Sequence, residues 1–345
     1  MNAVDVPVER AEKEMLLSRE KDTMQAAVLV APRRFELQEV PVPTPNADEV
    51  VFKVEGCGVC ASSIPVFEGR EWFTYPAQAG SPGHEAWGYV TAVGSQVRHL
   101  KVGDRIVALS YNGYSEFDKA LALQAVKIPN TEDHMPGEAL GCAMNIFHRS
   151  DIQRGQTVAV IGAGFLGALL IQLAKGAGAS VIALSARQHS LEVAKDFGAD
   201  HTVLMDDHYG IIEHVKTLTD GQFCDRVIEA TGKEWPLNLA AELCMERGKL
   251  IIAGYHQDGM RSVNIQLWNW RGLDVINAHE RDPKVYVQGM QAAVAAVSER
   301  IITPDKLYTL YTLDQIQQAF EDLIHRPTGF TKAVIVNKNG NTHKN

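Results

Sequence analysis

The rhythm of hydrophobic and polar positions changes near the middle of the chain. From residue 157 onward, short apolar runs rich in β-branched residues alternate with longer segments of helical spacing, which is typical of buried parallel strands joined by helical crossovers. Strands are predicted at 157–161, 180–184, 201–204, 225–229, 249–253 and 272–276, with helices in the first four gaps and a loop in the fifth. Six strands with crossovers predict a doubly wound parallel sheet of the Rossmann type.

The first part of the chain has a different pattern. Between residues 25 and 128, short strand-like runs are separated by proline-rich turns, which predicts a mainly antiparallel β domain. After residue 276, two helices near 283–298 and 313–324 and a final strand at 332–336 are expected to return to that domain. The predicted organisation is an α/β chain with a discontinuous β domain at 24–149 and 276–345, a parallel-sheet domain at 150–275, and a disordered extension at 1–23.

The sequence TVAVIGAGFLG joins the first strand of the parallel sheet to the helix that follows it. It places the pattern G-x-G-x-x-G on Gly162, Gly164 and Gly167, after a strand and at the start of a helix, as a dinucleotide site requires. These glycines permit a tight turn, the approach of a pyrophosphate and close packing of helix on strand. Phe165 and Leu166 open the helix, whose N-terminal N–H groups suit a phosphate. The alternative is a glycine-rich turn without a ligand, and the strand–helix context disfavours it.

Composition and charge narrow the classes of partner. The chain has 345 residues, of which 46% are hydrophobic and 22% charged, which is ordinary for a globular protein of two domains. A net charge of −9 gives no basic footprint for nucleic acid or an anionic membrane, and no apolar run reaches the ~20 residues of a membrane span. Five cysteines without a disulfide pattern favour reduced thiols in the cytoplasm. Nucleic acid and membranes are therefore not expected as partners.

Two short segments of the β domain carry metal-ligating residue types. GVCASS contains Cys60 and GHEAWG contains His84, each beside a glycine on a loop at a strand end. Catalytic zinc typically takes three protein ligands and keeps one position open. A redox or structural-zinc motif at Cys57–Cys60 is disfavoured because no second ligand pair follows. The residues alone leave open whether this cysteine and histidine are related at all, and they leave three candidates for a third donor: Glu138, Cys142 and Glu85.

Taken in order, the GVCASS loop, the GHE segment, the VGDR turn and the GAGxxG loop resemble the medium-chain dehydrogenase/reductase family, in its zinc-dependent alcohol and polyol dehydrogenase branch. The resemblance runs from residue 24 to residue 336. It implies a GroES-like β domain that carries a catalytic zinc, beside a Rossmann domain that binds NADP(H) or NAD(H). The implied reaction is hydride transfer between this cofactor and an alcohol or carbonyl substrate.

The resemblance also assigns roles to single residues. It implies Cys60 as the first zinc ligand and His84 as the second, and both therefore belong to the catalytic centre. It implies Ser62 as the hydroxyl that contacts the substrate oxygen and accepts its proton. The other implied roles are Glu138 as the third ligand, Glu85 as the adjacent carboxylate, Cys142 as the reserve ligand, and Lys332 as a basic residue near the cofactor phosphates.

Departures from the family pattern change what is expected. Ser63 stands where an aspartate usually orients the ligand histidine, so another group is expected to hold His84. Ala61 cannot contact a pyrophosphate as an arginine can, and Pro65 stands where some members have a histidine that relays protons. The four-cysteine lobe for a structural zinc is absent from the sequence between residues 94 and 114. One catalytic zinc per chain is therefore expected.

The choice of cofactor depends on the end of the second parallel strand, where an acidic residue usually binds the adenosine ribose. Ser185 occupies that position, and Arg187 follows two residues later. Serine does not repel a 2′-phosphate, and arginine can pair with it. One charge-assisted hydrogen bond of about 1.5–3 kcal/mol corresponds to a ten- to hundredfold preference for NADP(H) over NAD(H). The alternative is that Arg187 only faces solvent.

The predicted function is a zinc-dependent, NADP-preferring oxidoreductase that acts on an alcohol–carbonyl pair. Two alternatives stay open: a zinc-free quinone or enoyl reductase of the same family, and a non-catalytic nucleotide-binding protein that keeps the fold. The apolar edge strand at 268–276, together with the family resemblance, predicts a homodimer or homotetramer. For the substrate, charged lining would favour a sugar or polyol over a simple aliphatic alcohol, with a surface loop as the alternative position for each candidate. The polar and aromatic candidates for the substrate cleft are Arg70, Trp72, Tyr75, Asn145, His279, Glu280 and Arg281.

Overall fold

The computed structural model describes residues 22–337. The chain forms two compact units. One contains the described residues up to Leu140, Tyr308–Arg326 and the described residues from Ala333 onward; the other contains Gly141–Leu307 and Pro327–Lys332. The second unit includes residues 276–307, which the predicted domain boundaries assign to the β domain. The division into domains at these boundaries stays a prediction. The predicted extension at 1–23 lies outside the described residues, except for its last two positions.

The described residues form fifteen strands and nine α-helices. The strands are β1 (Thr23–Ala31), β2 (Arg34–Pro41), β3 (Glu49–Gly58), β4 (Glu85–Val93), β5 (Arg105–Ala108), β6 (Phe117–Leu121), β7 (Ala125–Lys127), β8 (Thr157–Ile161), β9 (Ser180–Ser185), β10 (His201–Leu204), β11 (Cys224–Glu229), β12 (Cys244–Ile252), β13 (Asp274–Asn277), β14 (Tyr308–Thr312) and β15 (Lys332–Val336). The helices are α1 (Ile64–Glu68), α2 (Gly137–Ser150), α3 (Phe165–Gly176), α4 (Gln188–Asp196), α5 (His208–Leu218), α6 (Glu234–Leu243), α7 (Ile265–Arg271), α8 (Pro283–Ser298) and α9 (Ile316–His325). Among residues 22–337, every helix is too short or too polar for a membrane span.

The first unit is built on antiparallel strand pairs. Its larger sheet has the order β14–β15–β3–β4–β5–β7, with β6 also paired to β3, and β1 and β2 form a separate two-stranded sheet. The central strand β3 pairs with β4 on one side and with β15 on the other. It is mostly buried, because Val50, Val51 and Phe52 are all in the core. The predicted antiparallel β domain, with a strand returning from the C-terminal part of the chain, is confirmed.

The second unit contains a six-stranded parallel sheet in the order β10–β9–β8–β11–β12–β13. Counted from β8, this is the order 3-2-1-4-5-6 of a Rossmann fold. The sheet is apolar on both faces: Ile161, Leu184, Val227 and Leu250 belong to one buried cluster, and Val160, Ala183 and Ile228, at the alternate positions of their strands, are also buried. The predicted doubly wound sheet is confirmed.

The segment between β12 and β13 corrects two expectations. Residues 253–272, predicted to be a loop, contain the helix α7. The Asn264 side chain accepts a hydrogen bond from the N–H of Leu267 at 3.0 Å at the start of this helix, and Gly272, with φ of +60°, ends it; both are ordinary helix caps. The predicted strand at 268–276 is therefore wrong in its first half. Only Asp274–Asn277 pairs with β12, although this short strand does form an edge of the sheet.

Candidate metal and cofactor sites

The strand pair β3–β4 brings the two predicted metal-ligand loops together. Gly58 at the end of β3 pairs with Glu85 at the start of β4, so the residues just after β3 and just before β4 meet at one end of the sheet. Cys60 lies there at the start of the 3₁₀ turn Ala61–Ser63, and His84 immediately precedes β4. Antiparallel pairing therefore joins two segments that are far apart in sequence.

A thiol, an imidazole and a carboxylate converge at this end of the sheet. The ligand atoms of Cys60, His84 and Glu85 all lie within 4.8 Å of one another. Sulfur, nitrogen and oxygen donors are the set that zinc takes in proteins, with bonds of about 2.0–2.3 Å and, in catalytic sites, a fourth position left for water or substrate. The residues present therefore fit a catalytic zinc ion.

The ring of His84 is oriented by the main chain. Its Nδ1 lies 2.8 Å from the carbonyl oxygen of Pro82. Because a carbonyl only accepts, Nδ1 carries the proton, and Nε2 keeps its lone pair for a metal ion. Histidines that bind a metal are commonly held by a carbonyl or a carboxylate in this way. The carbonyl of Pro82 therefore holds the ring of His84. A group other than residue 63 is expected to do so, because Ser63 stands at the position where the family pattern has an aspartate.

Negative charge surrounds the imidazole of His84. Burial lowers its pKa, but the hydrogen-bonded thiol of Cys60 and the charges of Cys60, Glu138 and Glu85 outweigh that effect and raise the pKa to about 10. The cluster thus stabilises positive charge beside Nε2, whether this charge is a proton or a divalent cation. Glu138, in the first turn of α2, acts on the site electrostatically without being a member of the three-donor group.

Gly58 makes the space for the buried carboxylate. Glu85 is completely buried, and a Cβ atom on Gly58 would lie only 1.8 Å from its Oε2. The hydroxyl of Tyr114 donates to the carbonyl of Gly58 at 3.3 Å, which helps to hold this strand end. Glu85 can take this position only because residue 58 has no side chain.

Ser62 lies in the same cluster. Its Oγ donates to the Sγ of Cys60 at 3.1 Å and lies 3.5 Å from Nε2 of His84. The residue is also exposed to solvent. Its hydroxyl is therefore in contact with two of the donor atoms and with water. The structure thus brings four of the predicted site residues together: Cys60, Ser62, His84 and Glu85.

The glycine loop of the second unit has the geometry that a dinucleotide needs. Gly162, directly after β8, has φ of +98°, which glycine adopts at little cost. A Cβ on Gly164 would meet nothing within 4 Å, so a pyrophosphate can approach the main chain, and a Cβ on Gly167 would lie 2.0 Å from the carbonyl oxygen of Gly162. A tight turn, the approach of the pyrophosphate to the main chain and the close packing of helix on strand are the three roles of the glycines in the dinucleotide fingerprint. Phe165 and Leu166 begin α3 here, as predicted.

Two family models match this chain. The alcohol dehydrogenase GroES-like domain matches residues 46–142, a range that includes Cys60, His84 and Glu138, and the zinc-binding dehydrogenase model matches residues 166–295. Together they cover more than half of the chain. The chain belongs to the zinc-type alcohol and polyol dehydrogenase branch of the medium-chain dehydrogenase/reductase family. The family identified from the motifs is confirmed.

Relatives match this chain over most of its length. Sorbitol dehydrogenase from Bacillus subtilis is 26% identical over 333 residues, which covers 86% of this chain and 93% of the relative. D-arabitol-phosphate dehydrogenase from Enterococcus avium is 25% identical over 341 residues, which covers 88% and 95%. A protein from Sinorhizobium meliloti 1021, assigned as a zinc-binding dehydrogenase and solved with NADP, has a TM-score of 0.79 and 25% identity and covers 92% of this chain and 100% of its own. The chain is similar to oxidoreductases of this family.

Three further predicted cofactor residues lie in the second unit. Ser185 ends β9, and its Oγ accepts a hydrogen bond from the N–H of Arg187 at 3.3 Å. The guanidinium of Arg187, which is half-buried, donates to the carbonyl of Phe330 at 3.3 Å. The ammonium of Lys332 lies 4.9 Å from the ring centroid of Phe165, the first residue of α3. Both basic side chains are therefore held within the unit that contains the glycine loop.

Two residues predicted to line a substrate cleft have structural partners. The hydroxyl of Tyr75 donates to the carbonyl of Val66. The buried amide of Asn145 donates to the carbonyl of Val285 at 3.2 Å. Because a main-chain carbonyl accepts a hydrogen bond from each of these side chains, their positions are explained without a sugar or polyol substrate.

The end of β11 holds residues that the sequence did not reveal. Glu229 is completely buried and accepts hydrogen bonds from the N–H groups of Thr231 and Gly232 at 2.6 and 3.0 Å. Nε2 of His256 lies 3.1 Å from its carboxylate. An acidic residue that ends an apolar strand, as in RVIEATG, is the one local signal of this site. Its histidine partner carries no such signal, because it comes from a different loop.

Proposed function

We propose that this dehydrogenase is a zinc-dependent oxidoreductase that transfers a hydride between a nicotinamide cofactor, preferentially NADP(H), and an alcohol–carbonyl pair of the sugar or polyol class. The observation that carries the proposal is the convergence of Cys60, His84 and Glu85 within 4.8 Å, in a chain that also has a complete glycine fingerprint beginning at Gly162. A set of zinc donors and a dinucleotide site are the two parts that this class of reaction requires.

Cys60 and His84 would hold the zinc ion, and we assign the third ligand position to Glu85. Its carboxylate supports this assignment because it is buried and belongs to the three-donor group. Glu138 contributes negative charge to the site and is the alternative third ligand, followed by Cys142. When bound, the zinc ion supplies Lewis-acid polarisation of a substrate oxygen, and the nicotinamide supplies the hydride chemistry.

Ser62 would accept the proton of the substrate hydroxyl. Its Oγ contacts both the Sγ of Cys60 and Nε2 of His84, so it lies at the donor cluster where the substrate oxygen is to bind. General bases act from within hydrogen-bond reach of the proton that they take. Because Ser62 is exposed and Pro65 offers no side chain that relays a proton, the hydroxyl would pass the proton directly to water.

Charge in the second unit supports the preference for NADP(H). Ser185, at the end of β9, carries no negative charge that would repel a 2′-phosphate, and Arg187 places a permanent cation two residues later. Lys332 adds a second cation beside the start of α3. One arginine–phosphate hydrogen bond of about 1.5–3 kcal/mol corresponds to a ten- to hundredfold preference. A similar protein was solved with NADP.

The substrate class and the assembly are supported by the relatives and by one strand. Relatives of this chain are named for sorbitol and for D-arabitol phosphate, and we extend the polyol class to this chain on that similarity. The short strand β13 forms an edge of the parallel sheet, and an unpaired edge invites pairing with a second strand. A homodimer, or a homotetramer built from two such dimers, is the proposed assembly.

Metal analysis combined with a substrate screen tests this function. Protein purified without a chelator is expected to carry about one zinc ion per chain, because one three-ligand site binds one ion, and to oxidise polyols such as sorbitol with NADP⁺. Cys60→Ala is expected to lose both zinc and activity while its circular dichroism stays native. The matched control is Cys224→Ala, in the core of the parallel sheet, which is expected to keep both.

The alternatives give different results in the same experiment. A fully active protein without zinc that reduces quinones would identify a zinc-free reductase of the same family. A protein that binds a nicotinamide cofactor but converts neither alcohols nor carbonyls would identify a non-catalytic nucleotide-binding protein. Either result would overturn the proposed function.

A further inference from the structure

Glu229, His256 and Arg261 form a chain of hydrogen bonds in the second unit. Nε2 of His256 lies 3.1 Å from Oε2 of Glu229, and Nε of Arg261 donates to Nδ1 of His256 at 3.1 Å. Because arginine can only donate, Nδ1 is the acceptor, and Nε2 carries the proton that it donates to the carboxylate. The exposed fractions of the three side chains are 0%, 16% and 15%, so water competes little for these bonds.

This chain of hydrogen bonds joins the loop after β11 to the loop after β12. Glu229 accepts a hydrogen bond from the N–H of Gly232 at 3.0 Å, and Arg261 donates to the carbonyl of Gly232 at 3.1 Å. The two loops are also in direct contact. A Cβ on Gly232 would lie 2.4 Å from the carbonyl oxygen of Tyr255, and a Cβ on Gly254 would lie 2.2 Å from the main-chain nitrogen of Gly232. The loops are therefore packed main chain against main chain.

The loop after β11 also touches the glycine fingerprint. A Cβ on Gly162 would lie 2.6 Å from Cγ2 of Thr231 and 3.2 Å from the carbonyl carbon of Ala230. The N–H of Ala230 donates to the carbonyl of Ile161 at 2.8 Å. The hydrogen-bonded chain thus fixes a loop that is in contact with the turn where a dinucleotide is expected to bind.

The order of the strands decides which half of the dinucleotide this loop pair serves. A Rossmann sheet consists of two mononucleotide-binding halves, and a dinucleotide spans both at the carboxyl ends of the strands. The adenosine ribose belongs to the half formed by β8, β9 and β10, because its recognition residue lies at the end of the second strand. The loops after β11 and β12 belong to the other half, which receives the nicotinamide.

We propose that Glu229, His256 and Arg261 are positioning residues for the nicotinamide half of the cofactor. They hold the loops after β11 and β12 in the arrangement that receives the nicotinamide ring. Removal of the central imidazole leaves a buried carboxylate and a guanidinium without their common partner, which costs more than the hydrogen bonds alone. The proposal rests on the proposed function only in that the chain binds a nicotinamide dinucleotide; it requires neither the zinc ion nor a known substrate.

His256→Leu and His256→Gln form a matched pair of variants for the test. Leucine removes both hydrogen bonds, whereas the amide of glutamine can donate to Glu229 and its carbonyl can accept from Arg261. Calorimetry measures the affinity of each protein for NADPH and for 2′-phospho-ADP-ribose, which lacks only the nicotinamide. His256→Leu is expected to weaken NADPH binding about tenfold or more and to leave the affinity for 2′-phospho-ADP-ribose within about twofold of the wild type. His256→Gln is expected to restore NADPH binding. NADH and ADP-ribose replace this pair of ligands if the wild type binds NADH more tightly.

Other outcomes overturn the proposal. An equal loss of both ligands would show that the three residues support the whole unit, and unchanged affinity for both would show that they position neither half. If His256→Leu does not fold, Arg261→Ala, which leaves the Glu229–His256 hydrogen bond in place, has to show the same difference between the two ligands, or the proposal fails. A wild-type protein that binds neither NADPH nor NADH would refute the proposed function itself, so the two failures are distinguishable.

Discussion

Gly58→Ala tests whether Glu85 completes the metal site. The new methyl group would lie 1.8 Å from Oε2 of Glu85 and 3.1 Å from Cβ of Pro136. Ordinary van der Waals contact begins at 3.4 Å, so the carboxylate oxygen has to move by about 1.6 Å, the difference between 3.4 and 1.8 Å. The Cδ of Glu85 would also lie only 3.0 Å from the new methyl group, so the variant displaces the carboxylate of this proposed ligand without replacing any donor residue.

This displacement is large compared with what a zinc bond tolerates. Ligand distances in metal sites lie within about 0.2 Å of their standard values, so a carboxylate displaced by this much is expected to lose its bond to a zinc ion held by Cys60 and His84. Loss of an outer-shell partner alone lowers metal affinity by about 10- to 100-fold, and loss of a ligand is expected to lower it by about a hundredfold or more. Overpacking adds a destabilisation of about 1–3 kcal/mol, which a domain with about 5–15 kcal/mol of stability survives.

Competition with a chromophoric chelator measures the zinc affinity, and thermal unfolding of the metal-free protein measures stability separately. The matched control is Gly176→Ala at the end of α3, where the same methyl group meets nothing within 4 Å, and it is expected to bind zinc as the wild type does. A folded Gly58→Ala protein with a zinc affinity within about threefold of the wild type would refute Glu85 as a ligand. Glu138 would then be the proposed third ligand, and the Glu138→Gln variant would be expected to lose its affinity for zinc.

Proton transfer, cofactor choice and assembly give three more tests. Ser62→Ala is expected to lower turnover by about a hundredfold or more without changing zinc content or cofactor affinity, because the hydroxyl moves a proton and holds neither group; wild-type turnover would show that another group accepts the proton. Ser185→Asp combined with Arg187→Ala is expected to reverse the preference from NADPH to NADH. Each change is expected to shift the ratio of the two affinities roughly tenfold, and because both residues are proposed to lie at one phosphate, the two effects need not add. This assignment fails if the wild type, titrated without substrate, binds NADH at least as tightly as NADPH. Light scattering at micromolar concentration is expected to give a homodimer or a larger assembly, and a monomer would contradict the role proposed for β13.

The parallel sheet could be predicted because its signals are local. Each of its central strands is an apolar run bounded by turn residues, and the whole glycine fingerprint lies within one strand–helix junction at Gly162–Gly167. The helix Pro283–Ser298 and the strand Lys332–Val336 are likewise predicted at their observed bounds. Hydrophobic period and capping residues suffice for such elements.

The rest depends on contacts that no local pattern encodes. The helix α7 escapes prediction because none of its residues is fully buried, so its apolar positions follow no clear helical period, and its signal is limited to the caps Asn264 and Gly272. The partnership of Glu229 with His256 exists only once the loops after β11 and β12 are packed together. The close contact between the carboxylate of Glu85 and the main chain of Gly58 likewise depends on the register of β3 and β4.

The pairing of β15 with β3 has a consequence for the order in which the molecule is built. Val334 pairs with Gly58, and the N–H of Val59 donates to the carbonyl of Ala333 at 2.9 Å, so residues from late in the chain complete the strand end that leads to Cys60. The parallel sheet, by contrast, comes from one continuous stretch of chain. Non-local strand pairing is slow, and domains fold as they emerge from the ribosome. The parallel sheet can therefore form during synthesis, whereas the N-terminal strands have to wait for β15, so the strand end that leads to Cys60 is completed late in the maturation of each chain.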